Sequence, residues 1–167
     1  MPVSRARADM TEEPTIVTAT KPLIVGESNP YGSDPYYALY PAPDGCSGHR
    51  LCCLILRMGR RQYLDTFERA NLCDGPWSKI TAVMRARKLL EFAGGAKLIL
   101  LGSKVCGAFG VPYRPFEVHA GHLVLPHPSG LCRLWNEPGA LRRAREAVAA
   151  FLPEVAHLLG EDDRGDS

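Results

Sequence analysis

No stretch of this sequence approaches the roughly 18 consecutive apolar residues of a membrane-spanning helix, and the N-terminal residues lack the apolar core of a secretion signal. A cytoplasmic protein with no membrane partner is therefore expected. Excess charge of one sign is also nearly missing: 20 Lys and Arg against 18 Asp and Glu leave a formal +2. That is too little for a protein that coats nucleic acid without selectivity, so affinity for DNA must come from where a few cations stand. The six cysteines contain no Cys-x-x-Cys pair, and Cys52-Cys53 falls inside the apolar stretch from Leu51 to Met58, where thiols pack as small hydrophobes. Reduced structural thiols and no metal are expected. Internal repeats and low-complexity linkers are absent as well.

What is present suffices for one α/β domain with a real core: 167 residues, 46% of them hydrophobic. Residues 1–19 mix charge, proline and threonine without periodicity, and residues 161–167 are nearly all polar. Both ends read as disordered tails flanking a domain over residues 20–160. A monomer is expected.

Within the domain, Pro22 to Gly26 is too short for a helix and ends in glycine, which predicts a buried strand feeding a loop. The loop from Glu27 to Gly48 is long and stiffened by Pro30, Pro35, Pro41 and Pro43, with tyrosines at 31, 36, 37 and 40. A short buried helix is expected over His49 to Met58, and a strand over Phe67 to Cys73. From Trp77 to Ala93 the spacing of Ile80, Val83, Met84 and Leu90 predicts an amphipathic helix with those residues inward, closed by Gly94-Gly95. Lys97 to Leu101 is the clearest strand; a short helix follows from Gly102-Ser103 to Phe109. His122 to Leu125 is another strand, halted by Pro126. The last helix opens at Glu137-Pro138, with Leu141, Ala144, Val148 and Leu152 inward. The alternation predicts a three-layer α/β sandwich around a mostly parallel four-stranded sheet, its site at the carboxyl ends of the strands.

Two segments fall where that rule puts a site. Gly26-Glu27-Ser28-Asn29-Pro30-Tyr31-Gly32 follows the first strand, and His127-Pro128-Ser129-Gly130-Leu131 follows the last. Both are polar, proline-stiffened loops leaving buried strands, an arrangement that fixes side chains for chemistry.

These segments resemble the two motifs of the uracil-DNA glycosylase superfamily: G-Q-D-P-Y or G-x-N-P-G for the first, H-P-S-P-L or N-P-S-G-L for the second. The two motifs stand about 100 residues apart, in order and in the expected strand context. Between them, Ala70-Asn71-Leu72-Cys73 ends a strand as the family's base-reading asparagine does, and Leu98 to Gly102 is similar to a strand end of the iron-sulfur branch. The resemblance spans residues 22 to 152. It implies a uracil-DNA glycosylase-like fold and a monofunctional enzyme that flips a pyrimidine nucleotide out of DNA and hydrolyses its N-glycosidic bond.

Carried onto this chain, the resemblance gives His127 as the donor to the charge developing on pyrimidine O2, and Asn29 as the group that places water, where another branch has aspartate. An amide orients water without accepting its proton, so Glu27 and Asp34 are the carboxylates considered as general base. Asn71 would read the base edge, Tyr31 would shield C5, and Tyr40 would be the platform under the base. Aligning on Gly26-Glu27, as in the iron-sulfur branch, shifts the Tyr31 register by one. Leu131 would wedge into the vacated stack, with Ser129 or Arg133 on a phosphate. The iron-sulfur branch has a cysteine pair before the first strand; here no cysteine precedes Cys46, so no cluster and no cofactor are expected.

Each residue also has a plainer reading. H-P-S can be a turn with a helix-capping histidine, Asn71 can hold a turn, and Tyr36, Tyr37 and Tyr40 can roof the core. The basic residues at 79–88 and 142–145 read as solvated helix faces, and His49, His119, His122 and His157 as structural. At the level of function, three readings stand: uracil excision in repair, excision of a hypermodified pyrimidine such as glucosylated hydroxymethylcytosine in antiviral defence, and binding of nucleic acid without cleavage.

Overall fold

The computed structural model describes residues 21–29, 32 and 34–160. The two expected tails and Tyr31 lie outside the described residues. The elements run β1 (Leu23–Ser28), a 3-10 turn (Pro35–Tyr37), α1 (Ser47–His49) continuing into a π-helical segment (Arg50–Ile55), α2 (Arg60–Thr66), β2 (Glu68–Cys73) and α3 (Lys79–Ala93). There follow β3 (Leu98–Leu101), α4 (Ser103–Phe109), β4 (Val118–His119), β5 (His122–Leu125), a 3-10 turn (Arg133–Asn136), α5 (Ala140–Phe151) and a closing 3-10 segment (Pro153–Leu158).

The strands form one sheet in the order β2-β1-β3-β5-β4. Its first four members are parallel, and β4 adds to β5 in antiparallel sense. The sheet is therefore five-stranded, not four-stranded as expected. The added strand is two residues long, below the length at which alternation can be read from sequence.

Period-2 alternation divides the sheet's side chains between two cores. Ile24, Ile99, Leu101, Leu123 and Leu125 face one core, closed by the π-helical segment, α2 and α5. Leu23, Val25, Leu98, Leu100 and Val124 face the other, closed by α3 and α4. Buried on both faces, these strands read as continuous apolar runs, as parallel strands do.

Two helices depart from the expected packing. In α3 Val83 packs against the core as expected, whereas Ile80, Met84 and Leu90 point outward, Ile80 76% and Met84 56% exposed. The buried stripe is Ala82, Ala86 and Ala93, with Leu89 half-buried, at spacings of three to four. Small side chains let the helix approach the sheet closely, so size overrode hydrophobicity in choosing its inner face. In α5, Ala144, Val148 and Leu152 are inward as expected, whereas Leu141 is exposed. Arg145, expected on a solvated face, is instead buried, and its Nη1 donates to Ile55 O at 3.0 Å. It thus satisfies a carbonyl that the end of the π-helical segment leaves without a helical partner.

Candidate functional site

The carboxyl ends of β1, β2 and β5 border one cleft of about 440 Å³. That volume lies within the roughly 300–1,000 Å³ usual for small-ligand pockets. Five residues selected from the sequence line it together: Glu27, Asn29, Tyr40, Asn71 and His127. β1 runs two residues beyond the expected strand, so Glu27 sits on the strand itself, held by sheet hydrogen bonds.

His127 is fixed on several sides. Trp135 Nε1 donates to its carbonyl oxygen at 2.8 Å, and Pro126 and Pro128 stiffen the backbone around it. Gly102, with φ +91, passes so close that a Cβ there would lie 3.2 Å from His127 Cβ. The Ser129 N–H donates to His127 Nδ1 at 3.1 Å. In a neutral imidazole that bond puts the remaining proton on Nε2, which lies 3.4 Å from Glu27 Oε2. Burial pushes the imidazole below its ordinary 6.5; the Glu27 carboxylate pulls it up and Lys104 pushes it down. The net direction is downward, so the ring is neutral at pH 7 and Nε2 is a donor.

Asn71 is 8% exposed, and its Oδ1 is buried with no hydrogen-bond partner. An acceptor in that state costs roughly 1–3 kcal/mol, and a hydrogen-bond donor is what it lacks. The reason for glycine at position 26 is visible here. Gly26 pairs in register with Asn71, and a Cβ on Gly26 would come 2.5 Å from Asn71 Oδ1.

The remaining candidates separate into cleft, wall and rim. Asn29 is buried in the cleft wall, and its Nδ2 donates to Asp34 O at 3.0 Å, bracing the loop between them. Asp34 itself is exposed and accepts from the Tyr36 N–H at 3.0 Å, capping the 3-10 turn. Of the two carboxylates considered, Glu27 is therefore the one in the cleft. Tyr36, Tyr37 and Tyr40 form a cluster of rings with centroids 5.2–5.5 Å apart. Tyr37 and Tyr40 line the cleft, and the Arg69 guanidinium lies 5.6 and 5.9 Å from the Tyr36 and Tyr40 ring centres. Ser129, Leu131 and Arg133 follow His127 outside the cleft. Ser129 Oγ accepts from the Leu131 N–H at 3.1 Å, and Leu131 is 92% exposed. Arg133 is exposed at the start of its 3-10 turn.

No family model, curated protein or solved structure matches the chain.

Several lining residues were not singled out from the sequence. Asp74 immediately follows β2 and borders the cleft, and the carboxyl-end rule that selected Asn71 could have selected it too. Cys46, Ser47 and Gly48 enter from the start of α1. A Cβ on Gly48 would lie 2.1 Å from Tyr40 O, so glycine is what lets this helix abut the tyrosine segment. No local sequence signal marks that contact. Arg50 supports the His127 loop from below, its Nε donating to Pro128 O at 2.8 Å. Among the described residues, no group of three or more His, Cys, Asp or Glu is placed to share a metal ion. No helix among them is long and apolar enough to cross a membrane.

Proposed function

We propose that this chain is a DNA glycosylase of the uracil-DNA glycosylase type, which takes a flipped pyrimidine nucleotide into the cleft and hydrolyses its N-glycosidic bond. The observation that carries this reading is the convergence of Glu27, Asn71 and a neutral, Nε2-protonated His127 on one cavity with room for a nucleobase.

The chemistry needs a donor where negative charge develops and a base for water. As the C1′–N1 bond breaks, its electron pair passes into the pyrimidine and is shared with O2, where His127 Nε2–H donates. Asn71 pairs with the far edge of the base: its Oδ1 accepts an N–H and its Nδ2 donates to a ring or exocyclic acceptor. Water bonds to C1′ and gives its proton to Glu27, leaving an abasic sugar, and the departing base is protonated from solvent. Asn29 holds the wall, and Tyr37 and Tyr40 supply the aromatic surface. Leu131 fills the gap in the stack, with Ser129 and Arg133 near the backbone.

The test is alkaline cleavage of single- and double-stranded oligonucleotides carrying uracil, mismatched thymine or a modified cytosine, after incubation with the protein. Strand breaks at the marked base are expected. His127→Ala and Asn71→Ala are each expected to slow release by about 10²–10³-fold while melting as the wild type does. Retention of DNA with no breaks in any substrate would replace this reading with a binding module, and full activity in both variants would remove the site assignment.

A further inference from the structure

A second cavity of about 230 Å³ lies beside the cleft and shares Asn29, Asn71 and Asp74 with it. The partition consists of side chains at strand ends. Beyond it, Ala38, Ala70 and Leu89 give apolar walls, while Arg85 and Lys88 project from α3. Asp74 and Arg85 form a fork-to-fork pair, Nη1 to Oδ1 at 2.9 Å and Nη2 to Oδ2 at 2.6 Å. The Arg85 guanidinium beside it holds the Asp74 carboxyl below the usual carboxylate range.

We propose that this side cavity is a subsite for a hydroxyl-bearing substituent on the far edge of the flipped pyrimidine, a use that rests on the glycosylase reading above. An unmodified ring needs the cleft alone. With the sugar at Glu27 and His127 and the opposite edge at Asn71, positions 4 and 5 of the ring face the partition. A group carried there extends past Asn71 toward Ala38 and Leu89. Its chemistry follows from the pair it meets. Asp74 and Arg85 neutralise each other, which leaves the exposed Lys88 as the remaining charge of the lining, and the pair itself offers carboxylate lone pairs and N–H donors side by side. That combination suits hydroxyl groups, each of which donates once and accepts twice.

Three oligonucleotides identical except for uracil, 5-hydroxymethylcytosine or glucosylated 5-hydroxymethylcytosine separate the possibilities, with release measured under single-turnover conditions. The wild type is expected to release the glucosylated base. Leu89→Trp fills the cavity, and Lys88→Trp narrows it from an exposed position where folding is not at stake. Each is expected to slow release of the glucosylated base by roughly tenfold or more while leaving release of whichever smaller base the wild type accepts unchanged. Melting curves establish that both variants are folded. Release of uracil but not of the glucosylated base by the wild type overturns the subsite and spares the glycosylase reading. Equal slowing on all substrates, or no slowing in either variant, overturns it as well. Release of none of the three bases overturns the subsite, and the glycosylase reading falls with it where mismatched thymine is not released either.

Discussion

At position 26 a hydrogen atom in place of a methyl group decides where the Asn71 amide can sit. Gly26→Ala is expected to push Asn71 out of its seat and lower the excision rate by as much as about 100-fold, the scale of a misplacement near one ångström, with little change in secondary structure. Wild-type release by this variant would show that the amide can move without consequence. Acid should reveal the half-buried imidazoles. Burial holds both His127 and His122 below 6.5, so as pH falls the unfolded chain takes up protons before the folded one does. Their contribution to stability is intact above about 6.5 and declines as pH drops through that value toward the folded pKa values. The urea midpoint is therefore expected to be lower at pH 5 than at pH 7.5, and the double variant His122→Gln/His127→Gln to flatten the decline. Parallel pH profiles for the two proteins would assign the acid sensitivity to other groups. His127 was legible in the sequence because a proline-flanked histidine after a strand is a local signal. Asp74 was open to the same carboxyl-end rule as Asn71, whereas the contact of Gly48 with Tyr40 depends on an irregular stretch folding back on itself and leaves no periodic mark.

At the scale of elements, strands were legible and helix faces were less so. Four consecutive apolar residues such as Leu98–Leu101 have one physical outcome in an alternating α/β chain. The inner face of α3 was not legible, because an alanine stripe and an isoleucine-methionine pair compete for the sheet and the winner depends on the available gap. Ile80→Glu with Met84→Lys is accordingly expected to leave stability within about 0.5 kcal/mol of wild type, as exposed substitutions do. A large fall in the thermal midpoint would place that face inside. The opposite holds for α5, where Arg145 closes the end of the π-helical segment. Arg145→Met is expected to lower unfolding free energy by about 1.5–3 kcal/mol in denaturant titration, the range for a hydrogen bond to a charged group. A shift below 0.5 kcal/mol would mean that the carbonyl finds another partner.

For the whole molecule, the proposed reaction divides the parts of the site between capture and chemistry. In that proposal Leu131, 92% exposed, serves capture. Leu131→Ala is expected to slow release from duplex DNA by roughly tenfold and to leave release from single strands nearly unchanged, since only the duplex must be unstacked. Equal effects on both substrates would place this leucine elsewhere in the reaction. The α/β architecture was legible from alternation alone, and so was the placing of the candidate residues at the strand ends, where a cleft lies; β4 and the side cavity depend on tertiary approach and left no mark on the pattern.

Glu27 and Asn71 are carried by neighbouring strands, and His127 sits on a short braced turn after another strand, whereas the tyrosine face comes from the stretch between residues 34 and 46, in which the 3-10 turn is the one regular element. The aromatic wall of the cleft is thereby housed in a different piece of chain from the strand-borne polar groups. Replacing that stretch, or resizing it, offers a route to reshape the pocket while Glu27, Asn71 and His127 stay in register.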